Sequence, residues 1–271
     1  MTKKAVNYTF IQGENLMEIL LTNDDGIYSK GIYELYKSLS NIADVVVVAP
    51  LTEQSAVGHA ITISDPLRVH KVYRKSEFFG LGVRGTPADC VKLAFSDLLS
   101  KKPDIVVSGI NHGANLCSNV IYSGTISAAT EGAMLGTKSF AISLASSIFD
   151  DFSIAAKFAS YFAGYLYKLN ISNNTIFNIN VPPLQHDEVK GWKYTVQGKT
   201  KFFDAFEKRI DPKGNVYYWM IGEKFKISEL ENGDDKAVND GYISVTPLHY
   251  DMTNYEIYNK FKTMRLKDEN V

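Results

Sequence analysis

Short apolar runs alternate with amphipathic segments along most of the chain. The apolar runs are rich in valine, isoleucine and leucine, as in strands buried on both faces of a sheet, and predict strands at 17–22, 43–50, 104–110, 138–144 and 175–181. Helical periodicity is found between and after them, at 31–42, 87–100, 126–135 and 151–169. A strand–helix–strand succession of this length requires parallel strands, so the pattern predicts an α/β fold with a mainly parallel sheet.

The pattern changes after Gly191. Aromatic residues alternate there with polar ones over 192–196, 202–210 and 216–221. The turn Asp211-Pro212-Lys213-Gly214 separates the last two segments and predicts a β-hairpin. A strand at 241–247 and a terminal helix at 254–264 follow. Because exposed aromatic hairpins commonly pack on another subunit, we expect an oligomerisation arm.

These patterns predict three regions in the chain of 271 residues. Residues 1–16 are polar and without periodicity, and we expect a disordered extension there. Residues 17–190 form the α/β core. Residues 191–271 form the β-rich arm, with a terminal strand and helix that pack back on the core. A further antiparallel hairpin is expected inside the core, from 67–73 and 78–84.

Composition excludes several functional classes. The formal net charge is -1, without a basic run, which argues against a dedicated nucleic-acid-binding protein. No apolar stretch approaches the roughly 20 residues that span a bilayer, so we expect no membrane partner. The two cysteines, Cys90 and Cys117, are too few for a disulfide framework. We therefore expect a cytoplasmic protein.

The first apolar run ends in two adjacent carboxylates, Asp24 and Asp25, followed by Gly26. The glycine permits a tight turn, which places both acids at the carboxyl end of a strand, where open α/β sheets bind ligands. Neighbouring carboxylates repel each other by roughly 1–4 kcal/mol. A folded protein tolerates the repulsion by raising one pKa or by binding a cation. The alternative is an Asx-type turn with two solvated side chains.

Two more polar loops follow buried strands at the same edge of the predicted sheet. One carries Ser55, and the other begins at Asn111. Carboxylate, hydroxyl and amide oxygens are the ligands that Mg²⁺, Ca²⁺ and Mn²⁺ prefer, and no Cys or His spacing suggests a zinc cage. Taken singly, Ser55 and Asn111 are better explained as hydrogen-bonding loop residues. Together with the acid pair, they favour a metal site.

The tripeptide Ser123-Gly124-Thr125 lies at the start of a predicted helix. Free backbone N–H groups and the helix dipole favour an anion there, although an ordinary N-cap without a ligand gives the same sequence. A divalent cation facing an anion-binding helix start is the layout that phosphate-ester hydrolysis requires.

Other polar residues near this edge remain ambiguous from the sequence. His59 and His112 could orient a substrate or be plain loop residues. Tyr122 could stack on a nucleobase, although packing under its loop is the more common outcome. Cys90 is expected in the core, and Cys117 is expected to be a loop thiol without a neighbouring base.

Several motifs occur together in an order and spacing that resemble the SurE survival-protein family. They are Thr22-Asn23-Asp24-Asp25-Gly26-Ile27, Ser55-Ala56-Val57-Gly58-His59, Gly85-Thr86-Pro87-Ala88-Asp89-Cys90-Val91, Ser108-Gly109-Ile110-Asn111 and Tyr122-Ser123-Gly124-Thr125. Later matches are Asn178-Ile179-Asn180-Val181-Pro182 and the segment 241–248. The sequence departs from the family pattern at Tyr28-Ser29-Lys30, where small residues are usual, and at Cys117, where glycine is common.

The resemblance implies a Rossmann-like three-layer core with a C-terminal β-hairpin arm exchanged between subunits, giving a homodimer or homotetramer. It implies a metal-dependent 5'-nucleotidase, in which a metal-bound water attacks a nucleoside monophosphate, with 3'-nucleotidase and exopolyphosphatase activity in some members. One divalent ion per subunit, Mg²⁺ or Mn²⁺, would be held by Asp24, Asp25, Ser55 and Asn111. The phosphate would be surrounded by Asn115, Ser123, Gly124 and Thr125. Asp24 is the expected catalytic residue that positions or deprotonates the attacking water, with Asp25 as its rival.

Other enzyme classes with this kind of core are disfavoured by missing motifs. No Gly-x-Gly-x-x-Gly follows the first strand, and no Gly-x-x-x-x-Gly-Lys-Ser/Thr occurs, which argues against a dinucleotide oxidoreductase and a Walker-type NTPase. Aspartyl-phosphate phosphatases normally place their carboxylates two positions apart, so the adjacent pair fits metal chelation better. The non-enzymatic alternative is a nucleotide or phosphate sensor without turnover.

Overall fold

A computed structural model describes residues 17–200, 202–224 and 230–263 of the chain. The predicted extension 1–16 lies outside the described residues. The strands are β1 Met17–Thr22, β2 Ala43–Pro50, β3 Val69–Arg74, β4 Glu77–Val83, β5 Ile105–His112, β6 Lys138–Leu144, β7 Ile176–Val181, β8 Trp192–Tyr194, β9 Phe202–Ile210, β10 Val216–Lys224 and β11 Ile243–Leu248. The α-helices are α1 Lys30–Leu39, α2 Pro87–Leu93, α3 Gly124–Met134, α4 Ser153–Lys168, α5 Asp234–Asn239 and α6 Tyr255–Phe261.

Nine strands form one sheet in the order β3-β4-β2-β1-β5-β6-β7-β11-β8. In this order, the six consecutive strands β4-β2-β1-β5-β6-β7 are parallel to one another. β3 and β11 run antiparallel to their neighbours β4 and β7, and β8 is parallel to β11. β9 and β10 pair separately as an antiparallel hairpin. The α/β prediction with a mainly parallel sheet and a C-terminal hairpin is confirmed.

Helices cover both faces of the sheet, because the strands are apolar on both sides. On β1, Ile19 and Leu21 pack in one cluster with residues of α1 and α4, whereas Leu20 packs in another with residues of α2 and α3. All three side chains are at most 1% exposed. This alternation gives the three layers of a Rossmann-like core.

The strand order places a ligand site between β1 and β5. The chain builds β2 and then β4 on one side of β1, and later adds β5, β6 and β7 on its other side. The order of the strands therefore reverses at β1, and ligands of open α/β folds bind at the carboxyl ends beside such a reversal. β1 ends at Thr22 and its partner residue in β5 is Ser108, so the acid pair and Asn111 leave the sheet side by side.

A capping box closes the start of α2. The Thr86 hydroxyl accepts a hydrogen bond from the Asp89 N–H, the Asp89 carboxylate accepts one from the Thr86 N–H, and Pro87 occupies the first turn. The helix is shorter than predicted, because Leu93 is followed by a π-helical turn, Ala94–Leu98, that ends at extended Leu99. The turn keeps Ala94 and Leu98 buried, as the apolar pattern required.

One difference concerns the last part of the chain. The short helix α5 was not predicted, since its sequence, Asp-Asp-Lys-Ala-Val-Asn, has no apolar face. β8 and β11 extend the main sheet, and α6 buries none of its residues, so its expected packing on the core stays a prediction. The division of the chain at residue 190 stays a prediction.

Within the described ranges, no helix combines the length and the apolar character needed to cross a membrane.

Candidate active site

A cavity of about 580 Å³ opens at the carboxyl ends of β1 and β5. Six of the side chains expected to bind metal or phosphate line it, namely Asp24, Asp25, Ser55, Asn111, Asn115 and Ser123. They come from three segments, the connections after β1 and β2 and the stretch from the end of β5, where Asn111 lies within the strand, to the start of α3, so their convergence is a property of the fold.

The turn after β1 aims the acid pair at this cavity. The Asn23 side-chain amide donates to the Gly26 carbonyl at 3.0 Å and to the Ser29 hydroxyl at 2.9 Å, which closes the turn. Gly26 has φ +91°, and a Cβ there would lie 3.2 Å from the Thr52 carbonyl carbon. Only glycine fits both the conformation and the space.

Asp24 is almost completely buried, at 5% exposure. Its Oδ1 accepts a hydrogen bond of 2.5 Å from the Thr125 hydroxyl, at the start of α3. Burial, together with the charge of Asp25, raises the pKa of Asp24 from 3.8 to about 6, although the Thr125 hydrogen bond acts in the opposite direction. The carboxylate is therefore poised to exchange a proton near neutral pH.

Asp25 is held by the end of β5. Its Oδ2 accepts a hydrogen bond of 3.1 Å from the His112 N–H. Burial is the main cause that raises the pKa of Asp25, and the charge of Glu53 adds to it, while the His112 N–H lowers it. Both acids of the pair thus carry negative charge that their surroundings disfavour.

No cationic side chain compensates this charge in the part of the chain that the structure describes. Neither Asp24 nor Asp25 forms an ion pair with a lysine or an arginine there. Paired, desolvated carboxylates are stabilised by a divalent cation. The donor set around the cavity, made of carboxylate, hydroxyl and amide oxygens, therefore fits Mg²⁺ or Mn²⁺.

The other two expected metal ligands, Ser55 and Asn111, donate their polar hydrogens to acceptors of the protein, which leaves oxygen lone pairs available to a cation. The Ser55 hydroxyl donates to Glu53 Oε1 at 2.5 Å, so its lone pairs remain for a cation. The Asn111 Nδ2 donates to the Gly113 carbonyl at 2.7 Å, which identifies Oδ1 as the atom available for coordination. Partners that orient a ligand in this way are typical of metal sites.

Asn115 is fixed by polar side chains inside the sheet. Its N–H donates to Asn180 Oδ1 at 2.8 Å, and its carbonyl accepts from the amides of Asn178 and Asn180. Its own Nδ2 donates to the Ser143 hydroxyl at 2.9 Å. The motif 178–182, in which asparagines alternate along β7, therefore supports a residue that lines the cavity.

The start of α3 faces the acid pair. Ser123 is the N-cap and accepts a hydrogen bond of 3.2 Å from the Ile126 N–H. A Cβ on Gly124 would lie 2.9 Å from the Asp24 Cβ, so this position requires glycine. Gly124 and Thr125 contact Asp24 from behind the cavity wall. The positive end of the helix dipole and the acid pair are thereby brought together.

Comparison with known proteins identifies the family of this chain. Residues 19–204 match the family described as "Survival protein SurE". The chain belongs to the SurE family. Its relatives named "5'-nucleotidase SurE" include one from Syntrophobacter fumaroxidans, 50% identical over 89% of this chain and 96% of that protein. Another, from Syntrophus aciditrophicus, is 47% identical over 93% of this chain and 95% of that protein.

A solved structure supports the same assignment. The SurE protein from Aquifex aeolicus is 42% identical in sequence and superposes with a TM-score of 0.79. The match covers 90% of this chain and 98% of the Aquifex chain. The SurE resemblance drawn from the sequence motifs is confirmed.

The structure adds cavity residues to this SurE site that the sequence did not reveal. They are Glu53, Ala56, Ala114, Ser118, Asn119 and Met220. Glu53 lies two positions before Ser55, and its acidity in a polar loop was the available signal. Met220 belongs to the hairpin arm, and only the tertiary structure brings it to the cavity.

Three residues differ from the alternatives weighed for them. His59 Nε2 forms a hydrogen bond of 2.9 Å with Oε2 of the buried Glu131. His59 is therefore directed at Glu131 and does not line the cavity. Tyr122 is 64% exposed at the cavity and does not pack under its loop. Cys117 is buried and is not an accessible loop thiol, and its φ of +54° is a backbone conformation that favours glycine.

Proposed function

We propose that this chain is a divalent-metal-dependent 5'-nucleotidase that hydrolyses nucleoside monophosphates to nucleoside and phosphate. The observation that carries the proposal is the pair of buried Asp24 and half-buried Asp25, without an ion-paired lysine or arginine among the described residues, opposite the start of α3 in one cavity. The printed names of the relatives support the same activity.

In this proposal Asp24, Asp25, Ser55 and Asn111 hold one Mg²⁺ or Mn²⁺ per subunit. A divalent cation at this place would neutralise phosphoryl charge and lower the pKa of water. Glu53 accepts the hydrogen of the Ser55 hydroxyl and so orients its lone pairs. The His112 N–H fixes Asp25 in the same manner.

In this proposal the phosphoryl group is bound by Asn115 and Ser123, which line the cavity, and by the backbone N–H groups of Gly124 and Thr125 in the first turn of α3. The Ser123 hydroxyl accepts from Ile126 and can donate its own hydrogen to a phosphate oxygen. Asn115 retains a second amide hydrogen beyond the one that Ser143 accepts. Gly124 lets the helix start approach Asp24 closely.

Asp24 is the proposed group that takes the proton of the attacking water. Burial and Asp25 raise its pKa to about 6 in the protein without metal, and a divalent cation beside it would lower this pKa, so that Asp24 would be ionised and able to accept a hydrogen from water at neutral pH. The Thr125 hydroxyl holds Oδ1, which leaves Oδ2 to face the reacting water. Attack is direct, with no covalent phosphate on the protein. Trapping a phosphoryl group on Asp24 or Asp25 after rapid quenching would contradict this mechanism.

Some finer assignments depend on the family resemblance or on sequence composition. They are 3'-nucleotidase activity, cleavage of short polyphosphate, a homodimer or homotetramer joined by the arm, and a cytoplasmic location. The free and buried Cys90 and Cys117 agree with a reducing compartment.

The proposal is tested by phosphate release from nucleoside monophosphates with added Mg²⁺ or Mn²⁺. We expect steady turnover beyond one equivalent per chain, lost after chelation and restored by the ion. A single equivalent at most would instead indicate a nucleotide sensor, and turnover that survives exhaustive chelation would exclude the metal-dependent mechanism.

Substitution of the acid pair tests the metal site. Asp24→Asn and Asp25→Asn should each remove most of the activity, by about 100-fold or more in kcat/KM, because the metal loses a charged ligand. The matched control is Asp150→Asn, which changes an exposed carboxylate paired with Lys30. Retained activity in either acid-pair variant would show that its carboxylate is not a metal ligand.

A further inference from the structure

The 3-10 turn Cys117–Ile121 connects the strand end at β5 with helix α3 and forms one wall of the cavity. Ser118, Asn119 and the following Tyr122 line the cavity from this turn. The expected metal ligands and Ser123 account for the phosphoryl end of a substrate. The turn therefore supplies the remaining polar and aromatic surface, which suits the nucleoside part.

One buried carboxylate holds the first residue of the turn. Asp234, at the start of α5, is 0% exposed. Its Oδ2 accepts a hydrogen bond of 3.1 Å from the Cys117 N–H, and its Oδ1 is 3.6 Å from the Cys117 sulfur. The Gln197 side-chain amide donates to the Cys117 carbonyl at 2.7 Å. Both backbone polar groups of Cys117 are thus bound by distant parts of the chain.

The same carboxylate joins the two ends of the hairpin arm. Asp234 Oδ1 also accepts from the Gly198 N–H at 2.9 Å, just before β9, while Asp234 itself follows β10. The chain therefore leaves the core for the arm, and returns from it, at the point where the cavity turn is anchored. Met220, on the arm, lines the cavity as well.

This cluster is a hydrogen-bonded anchor and not a second cation site. Cys117, Asp234 and Asp235 bring ligand atoms within 4.8 Å of one another. Asp234, however, accepts backbone N–H groups from Cys117, Gly198 and Asp235, and Asp235 accepts from the Lys236 N–H and the Thr200 hydroxyl. N–H hydrogens directed at the oxygens occupy the places that a cation would take.

We propose that Asp234 is a positioning residue for nucleotide hydrolysis, which holds the Cys117–Ile121 turn so that Ser118, Asn119 and Tyr122 meet the nucleoside part of the substrate. The inference rests on the proposed function. Asp234 touches neither the expected metal ligands nor the phosphate cradle, and it acts through the turn alone.

The substitution Asp234→Asn tests the inference. The asparagine Oδ1 can still accept from Gly198 and Asp235, but its Nδ2 then faces the Cys117 N–H, and two donors cannot pair. We expect KM for a nucleoside monophosphate to rise about tenfold. Hydrolysis of glycerol phosphate, which has no base, should change by less than about twofold. The control is Asp240→Asn, at the other end of α5, where the carboxylate pairs with Lys236 on the surface.

The Cys117 thiol reports the position of the turn without reference to activity. It is 1% exposed in the protein, and burial together with Asp234 and Asp235 raises its pKa to about 12. Alkylation by iodoacetamide should be slow in the wild type and at least about tenfold faster in Asp234→Asn. The fully buried Cys90 is the internal reference, because a general loss of folding would expose it too.

Gln197→Ala weakens the same anchor from an exposed side chain and keeps the test open if Asp234→Asn folds poorly. Like Asp234→Asn, it should raise the KM for a nucleoside monophosphate and the rate at which Cys117 is alkylated. Unchanged KM in both variants, or an equal loss with nucleotide and glycerol phosphate, would overturn the inference. A wild type without any turnover would overturn the proposed function instead.

Discussion

Asp24 combines three properties that make it the central residue of this protein. It is buried, it lies beside a second carboxylate, and it accepts the Thr125 hydroxyl. The sequence predicted repulsion between the adjacent acids, and this repulsion is relieved either by a raised pKa or by a bound cation. The pKa of Asp24 is raised, and the oxygen donors of Ser55 and Asn111 line the same cavity as the acid pair, where a cation could bind.

The raised pKa has a consequence for stability without divalent ions. The folded pKa of Asp24, about 6, is above its ordinary value of 3.8. Folding favours the protonated form of Asp24. The resulting contribution to the free energy of unfolding is therefore fully present below about pH 3.8 and is lost as the pH rises through about 6. We expect the free energy of unfolding, measured with urea in a chelator, to fall by about 3 kcal/mol over this range because of Asp24.

Asp24→Asn is the comparison for this measurement, since the amide does not titrate. In the variant, the part of the fall in the free energy of unfolding that is due to Asp24 should be absent. At neutral pH, Mn²⁺ should raise the melting temperature of the wild type more than that of the variant. Equal pH dependence in the two proteins would show that ionisation of Asp24 is not disfavoured by folding.

Single residues also show where the sequence was insufficient. Glu53 could be noticed in a polar loop, but its hydrogen bond to Ser55 depends on the loop conformation. Two surroundings were plausible for His59 and for Tyr122 from the sequence. Contact with Glu131 decides the surroundings of His59, and the position of the cavity wall decides those of Tyr122. The first contact depends on the conformation of a loop and the second joins residues 72 positions apart, and the local sequence pattern determines neither.

Helix α3 is the element on which the phosphate site depends. Its start follows directly from the sequence, since Ser123 caps the helix and small residues continue it. What the pattern could not show is how closely the helix approaches β1. At Gly124, a Cβ would lie 2.9 Å from the Asp24 Cβ and 3.1 Å from Asp24 Oδ2.

Gly124→Ala should therefore move the helix start away from the acid pair. We expect kcat/KM to fall about 10- to 100-fold, because small displacements of reacting groups are costly. Gly164→Ala, inside α4, is the matched control, since nothing lies within 4 Å of its added methyl group. It should leave activity unchanged and stabilise the protein by about 0.5–1 kcal/mol. Equal activity of the two variants would show that the close approach at Gly124 is unimportant.

In the whole molecule, the hairpin of β9 and β10 stands apart from the nine-stranded sheet. Its large apolar side chains are exposed, among them Phe206, Tyr217, Tyr218, Trp219, Met220 and Ile221. Helix α6 likewise buries no residue. Exposed apolar side chains in this number are typical of surfaces that pack on another chain, which supports the proposed role of the arm in association.

Deletion of residues 202–221 should lower the oligomeric state, measured as molar mass by light scattering. Trp219→Asp makes the same test with less disruption. The side chain is 57% exposed in the single chain, so the substitution should leave the fold intact, as circular dichroism would show, and weaken only association. An unchanged mass in both variants would remove the bridging role of the arm.

The sequence by itself determined the parallel core, the capping of α2 and α3, and the glycine turn that follows the acid pair. These features depend on periodicity, on capping chemistry and on backbone freedom, all of which act over a few neighbouring residues. Motifs shared with the SurE family then identified the residues of one site.

Only the tertiary structure decided the contacts between distant segments. It placed α5 against the cavity turn and Met220 at the cavity. α5 has no apolar face, and its anchoring comes from a buried carboxylate that accepts N–H groups from residues 36 and 117 positions away in sequence. Burial and long-range hydrogen bonding are set by the packed chain as a whole, and that is the physical reason why these features were not visible in the sequence.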